Sequence, residues 1–236
     1  MRRFLTLHDP AQAAGFYEAG LWTRDTFYSL LADNAAARPD QPALRDGRRT
    51  LDWASLRQHV DAMADDLTAQ GLIAGDRVSL WLSNRAEAII AFLACAREGI
   101  ACNPSLHRTY TCAEIVSLLK TLNSAALVTE PDWGTDRDRQ NLDAMLEDLP
   151  FLRKVYTPGT FPPAGAASAR PYHLNPDSVA YLAFTSGTTG APKCVMHSSN
   201  TLLANGRDLV RDWRLGHGAV ARDAGGRRLD RHLRSS

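Results

Sequence analysis

Two rhythms alternate along this chain. Apolar residues recur three and four apart, as on one face of a helix, and they also form short unbroken runs, as in a strand covered on both sides. The clearest helical stretch places Trp53, Leu56, Val60, Met63 and Leu67 on one face; Thr50 or Asp52 can cap its start, and Gly71 closes it after Gln70. Asp61, Asp65 and Asp66 lie on the same helix and read as its solvated face. After the Gly75-Asp76 turn, residues 77–82 read as a strand. Asn84 with Glu87 three residues on forms a capping-box pattern for an apolar helix reaching Arg97, and Thr111 with Glu114 repeats it ahead of Ile115, Leu118 and Leu119. Residues 124–129 follow as a buried strand, then 139–149 as helix and 152–156 as strand. Upstream, 26–37 reads as a helix ended by Arg38-Pro39, and 43–45 as a short strand before the Asp46-Gly47 turn.

Strands separated by helical crossovers predict a three-layer α/β fold with a mostly parallel sheet flanked by helices, whose ligands gather at the carboxyl ends of the strands. Residues 157–176 contain five prolines and several small residues and read as an irregular surface connection. The organisation expected is an N-terminal arm over 1–22, a domain over 23–213, and a basic, irregular tail over 214–236.

The chemistry concentrates after the last predicted strand, residues 179–184. There the chain reads Thr185-Ser186-Gly187-Thr188-Thr189-Gly190-Ala191-Pro192-Lys193, and apolar character resumes at Val195-Met196-His197 before a helix start at Ser198-Ser199-Asn200 and a helix over 201–213. Gly187 and Gly190 permit positive φ and close backbone approach, so amide N–H groups can turn towards an anion. Thr185, Ser186, Thr188 and Thr189 add hydroxyl donors, and Lys193 adds a mobile point charge suited to phosphate oxygens. Pro192 restricts Ala191 and stiffens the exit of the loop. The bland alternative is a flexible Gly/Ser/Thr linker, but a linker is not pinned between a strand and a resumed apolar run. The pattern also departs from the P-loop of NTPases, because Ala191 and Pro192 separate the last glycine from the lysine and Cys194 replaces the magnesium-holding hydroxyl.

This nine-residue run closely resembles the phosphate-binding motif of the adenylate-forming superfamily of acyl-CoA synthetases, peptide-synthetase adenylation domains and luciferases. The order of elements from about Thr23 to Trp213 is similar to the first part of their large N-terminal domain, and the stretch from Lys193 to Leu202 looks closest to cyclohexanecarboxylate and medium-chain acyl-CoA ligases. The resemblance implies attack of a carboxylate on the α-phosphate of ATP to give an acyl-adenylate and pyrophosphate, then thioester formation with coenzyme A. It implies ATP, Mg2+ and coenzyme A as cofactors and a small carboxylic acid as substrate. Thr185, Ser186, Gly187, Thr188, Thr189 and Gly190 would contact the β- and γ-phosphates, with Lys193 reinforcing them; no catalytic or metal-binding residue is assigned.

Two positions differ from the family pattern: Cys194 stands where a glycine usually follows the lysine, and Ser199 where many relatives have histidine. His197, between Met196 and Ser198, reads as a strand-end packing position rather than a general base. The later family motifs, for adenine, the magnesium-serving glutamate, ribose and the mobile C-terminal domain, do not occur after the loop. Instead residues 214–236 carry six arginines, two aspartates and no lysine, glutamate or aromatic residue. The expectation is a truncated acyl-CoA synthetase, ended by a frameshift or early stop near Trp213 and acting alone or with a separately encoded remainder; the alternatives are a non-catalytic nucleotide-binding module or a nonfunctional fragment.

Composition adds bounds. A chain of 236 residues with net charge +1 gives no reason to expect a nucleic-acid partner. Only Lys120, Lys154 and Lys193 are lysines among 27 basic residues, so a lysine within the glycine loop stands out. Cys95, Cys102, Cys112 and Cys194 lack zinc-site or disulfide spacing, which fits a reduced, cytoplasmic setting. The start at Met1-Arg2-Arg3 lacks a long apolar region, and no segment matches a membrane span.

Overall fold

A computed structural model describes residues 6, 8–104, 106–185, 193–216 and 219. Helices α1 (Pro10–Glu18) and α2 (Phe27–Ala37) precede an antiparallel hairpin of β1 (Pro42–Arg45) and β2 (Thr50–Asp52). There follow α3 (Trp53–Ala69), β3 (Arg77–Trp81), α4 (Ala86–Glu98), β4 (Ala101–Asn103), α5 (Cys112–Leu122), β5 (Ala126–Thr129), α6 (Leu142–Glu147), β6 (Lys154–Tyr156), β7 (Val179–Thr185), β8 (Lys193–Ser198) and α7 (Ser199–Asp212). The main sheet has the order β6-β5-β3-β4-β7-β8. Its first five strands are parallel and β8 runs antiparallel at the edge.

The pleat sorts the core into two layers. Val78, Leu80, Ala126 and Val128 pack with Leu56, Val60, Met63 and Leu67 of α3 and with Ile90, Ala91 and Ala94 of α4. From the other face, Trp81 and Leu127 meet Ile115, Leu118 and Leu119 of α5 and Leu142 and Leu146 of α6. Each fully buried leucine, valine or methionine contributes about 1.5–3 kcal/mol relative to exposure. The expected three-layer α/β architecture is therefore present, with an antiparallel edge strand.

Element ends follow local chemistry where it is available. Asp52, the second of the two candidate caps, accepts from Ser55 N at 2.7 Å, because Thr50 is taken up in β2. Thr111 and Glu114 form the predicted capping box at α5. The Asn84–Glu87 box does not form. The N-cap of α4 is Arg85, without a side-chain cap, and Asp46 reaches across from the β1–β2 turn to accept from Ala86 N at 3.0 Å. Glu87 is drawn away by Arg49 and Arg85, both at 3.1 Å. At the other end of α4, Gly99 has φ +67°, and a Cβ there would lie 2.8 Å from the His173 ring, so conformation and space both demand glycine.

The N-terminal arm carries α1, capped by Asp9, whose carboxylate accepts from Ala11 N at 2.9 Å. Two readings need correction. The predicted helix over 139–149 is confined to α6, and β4 and β2 are additional strands too short to show a period. Asp61 does not face solvent. It is completely buried, accepting from Arg97 Nε at 3.0 Å, from Ser168 N at 2.9 Å and from the Tyr28 hydroxyl. On the same helix Asp66 accepts from the Tyr156 hydroxyl at 2.5 Å and Asp65 pairs with Arg170 at 2.6 Å. Asp66 thus fastens the end of β6, and Asp61 and Asp65 fasten to α3 the proline-rich stretch that follows it. It is irregular as expected, but pinned, with the Tyr172 ring edge-on to Tyr28 at 4.8 Å.

Candidate phosphate-loop site

The two described ends of the candidate loop are cross-strand partners. β7 leaves the sheet beside β4 with its carboxyl end at Thr185, and β8 returns from Lys193, so that Thr185 pairs with Lys193, Phe184 with Cys194, Ala183 with Val195 and Leu182 with Met196. The Thr185 hydroxyl donates to the Lys193 carbonyl at 3.4 Å. Directly paired residues of an antiparallel ladder project to one face, so Thr185 and Lys193 share a face while Cys194 projects to the other. Ser186, Gly187, Thr188, Thr189 and Gly190 lie outside the described residues.

The connection therefore differs from a P-loop in its exit. From Lys193 the chain returns as the antiparallel strand β8 instead of opening a helix. Both described ends carry donors, a hydroxyl and an ammonium. Cys194 takes an ordinary strand position opposite Phe184, so the side chain that replaces the usual glycine requires no special backbone. The His197 ring lies edge-on to Tyr181 at 6.0 Å, with Nδ1 3.5 Å from the Thr201 hydroxyl, in keeping with a packing role.

Two polar groups that the sequence pattern did not single out tie this part of the sheet, one at each end. Glu130, just past β5, accepts from Ser83 N at 3.0 Å and Ser83 Oγ at 2.6 Å and pairs with Arg85 at 3.1 Å, joining the carboxyl ends of β3 and β5. Burial opposes its ionisation, but the Ser83 hydrogen bonds and the Arg85 guanidinium outweigh that and hold the carboxyl below its usual range. A lowered folded-state value stabilises the protein above the unfolded carboxylate range, near pH 4.3 for glutamate, and that contribution is lost as pH falls through the folded value. Urea midpoints of the parent and Glu130→Gln should accordingly differ most at pH 7 and converge towards pH 3; a gap that widened in acid would contradict this.

The second group lies at the opposite end of the hairpin. Asn200, completely buried at the start of α7, joins Tyr17 of α1 and Asp177 ahead of β7. Burial and the hydrogen bond to Asp177 push the Tyr17 phenol up, so it remains a donor at neutral pH. These partners are more than a hundred residues from Tyr17 in sequence, and no local pattern marks them.

Among the described residues, no group of three or more His, Cys, Asp or Glu is placed to hold a metal, and no helix is long and apolar enough to cross a membrane.

The family to which this α/β sheet belongs follows from its relatives. The family model for AMP-binding enzymes matches residues 31–223, and the chain belongs to that family. It is 31% identical over 217 residues to "Protein Y" of Streptomyces griseus, covering 86% of this chain and 69% of that protein. It is 32% identical over 200 residues to the sulfoacetate–CoA ligase of Cupriavidus necator, covering 81% of this chain and 38% of the relative. Among solved structures, the apo structure of MbtA from Mycobacterium smegmatis superposes with a TM-score of 0.73 at 26% identity, over 89% of this chain and 41% of that one. The chain thus spans about two thirds of the first relative and well under half of the other two.

Proposed function

We propose that this chain carries the phosphate-gripping part of an ATP-dependent acyl-CoA synthetase. In that reaction a carboxylate displaces pyrophosphate from ATP to give an acyl-adenylate, which then passes to coenzyme A. The observation that supports the reading most directly is the pairing of Thr185 with Lys193 at the carboxyl end of β7, which brings both ends of the loop together at the edge where ligands of parallel sheets bind. Ser186, Gly187, Thr188, Thr189 and Gly190 complete the loop, their amides and hydroxyls cradling the β- and γ-phosphates while Lys193 neutralises charge. The loop's share of catalysis is electrostatic: it fixes the triphosphate and steadies the departing pyrophosphate.

Mg2+ would accompany the triphosphate, and coenzyme A would enter at the second step; neither is assigned to a residue of this chain. The carboxylic acid is also unassigned, and the name of the sulfoacetate–CoA ligase bears on that relative alone. The proposed setting is the cytoplasm.

A second reading is nucleotide binding without turnover, which asks of the paired loop ends Thr185 and Lys193 only that they hold phosphate. Calorimetric titration with Mg·ATP, followed by carboxylate-dependent exchange of labelled pyrophosphate into ATP, separates the readings. Binding with exchange supports a working adenylation site and binding without exchange the second reading, whereas absence of binding overturns both.

A further inference from the structure

We propose that Asn200 is a positioning residue for the phosphate loop, and that α1 acts through it as a brace for the hairpin on which the loop is mounted. The proposal rests on the phosphate-binding role given to the loop above.

Asn200 uses its whole amide and its backbone to hold separate pieces of chain. Nδ2 donates to the Tyr17 hydroxyl at 2.7 Å and to Asp177 Oδ1 at 2.7 Å, and Oδ1 accepts from Thr23 N at 3.3 Å. The Asn200 backbone N–H donates to the Pro176 carbonyl at 3.2 Å. The Tyr17 hydroxyl closes the triangle, donating to the same Asp177 oxygen at 2.9 Å. Further along α7, Arg207 repeats the tie, donating to Thr23 Oγ1 at 2.6 Å and Asp25 Oδ2 at 2.9 Å.

The position of this node gives it leverage. Asp177 stands just before β7 begins and Asn200 just after β8 ends, so the node grips both feet of the hairpin at the end away from the loop. β8 is an edge strand whose Val195 and Met196 are 38% and 40% exposed. β7 pairs with β4 at Cys102–Tyr181, and buried Leu182 and the Phe92 ring against Tyr181 pack it on the core, so apolar contacts hold the middle of the hairpin while the node holds its feet. Six residues of strand carry a displacement at the node about 20 Å to Thr185 and Lys193. Apolar packing resists separation but tolerates rotation, whereas a buried, fully satisfied amide fixes direction. Asn200 therefore sets where the loop sits relative to the carboxyl edge of the sheet.

The test uses Asn200→Ala, Tyr17→Phe and Asp177→Asn in the whole chain, with hydrogen exchange read by mass spectrometry over the β7–β8 segment and over β3 and β5, and with Mg·ATP titration. Losing one buried hydrogen-bonding partner is expected to speed exchange in the hairpin about tenfold and to weaken Mg·ATP binding several-fold. Protection of β3 and β5 stays unchanged. Asp177→Asn keeps the acceptor for Asn200 and Tyr17 and should remain within about twofold of the parent in both readouts. Should Asn200→Ala fail to fold, Tyr17→Phe, which deletes only one hydroxyl, decides. Unchanged hairpin exchange, an equal rise in β3 and β5, or faster hairpin exchange with unaltered nucleotide affinity each overturns the proposal. A parent chain that binds no Mg·ATP would instead remove the loop's assigned role, and the exchange readout would still decide whether the brace exists.

Discussion

Replacing Asp61 by alanine is expected to remove about 3–5 kcal/mol of folding stability, a large part of the roughly 5–15 kcal/mol available to a domain. The reason is the company left behind. Arg97 is buried with Asp61, and their ion pair at 3.0 Å has no solvent to replace it. The Ser168 amide and the Tyr28 hydroxyl lose their acceptor at the same time. Burial and the Asp61 hydrogen bond push the Tyr28 phenol up, so it stays a neutral donor in need of a partner. Glu98 and the Arg170 carbonyl still hold Arg97, which limits the loss without cancelling it. Asp65→Ala is the control: the same residue type on the same helix, paired with Arg170 but about half exposed, it should cost no more than about 1 kcal/mol. Urea unfolding with an unchanged m-value checks both, and equal losses in the two variants would refute the distinction.

Lys193→Ala is expected to weaken Mg·ATP binding about 10- to 100-fold, the range for one charge-assisted contact to phosphate. The fold should not change. The lysine side chain is exposed, and the groups that fasten its strand, the pairing with Thr185 and the hydrogen bond to its own carbonyl, belong to the backbone. Calorimetric titration of parent and variant reads the difference directly, and equal affinities would remove Lys193 from the site. Lys193→Arg should recover only part of the affinity, because a planar fork does not reproduce a compact ammonium.

The sequence was most legible where one element carries its own signal. The face built from Leu56, Val60, Met63 and Leu67 is a helical repeat that packing then uses, and the Thr111–Glu114 box is complete within one turn of helix. The apolar run Ala126-Leu127-Val128 of β5, with Val78, Leu80 and Trp81 of β3, marked a sheet covered on both sides. The glycine loop is proposed as the phosphate site on the same ground, its own residue types.

What escaped the sequence depends on distant partners or on very short elements. Asn84 and Glu87 have the spacing of a cap, yet Asp46 fills that role from another turn and two arginines claim Glu87. Asp61 has the same local setting as Asp65. Only the placement of Arg97 and the proline-rich stretch beside it turns one into a buried anchor and leaves the other at the surface. β4 occupies three residues, fewer than a strand period needs to declare itself. Asn200, Tyr17 and Asp177 are ordinary polar residues in sequence, and their meeting is a product of topology.

The central claim is that the turn between Thr185 and Lys193 grips the triphosphate of ATP. A crystal structure of the chain grown with Mg·ATP tests it most directly. The account predicts β- and γ-phosphates seated in that turn, with Lys193 Nζ about 3 Å from a phosphate oxygen. A turn without nucleotide, or a triphosphate bound elsewhere on the chain, would contradict it.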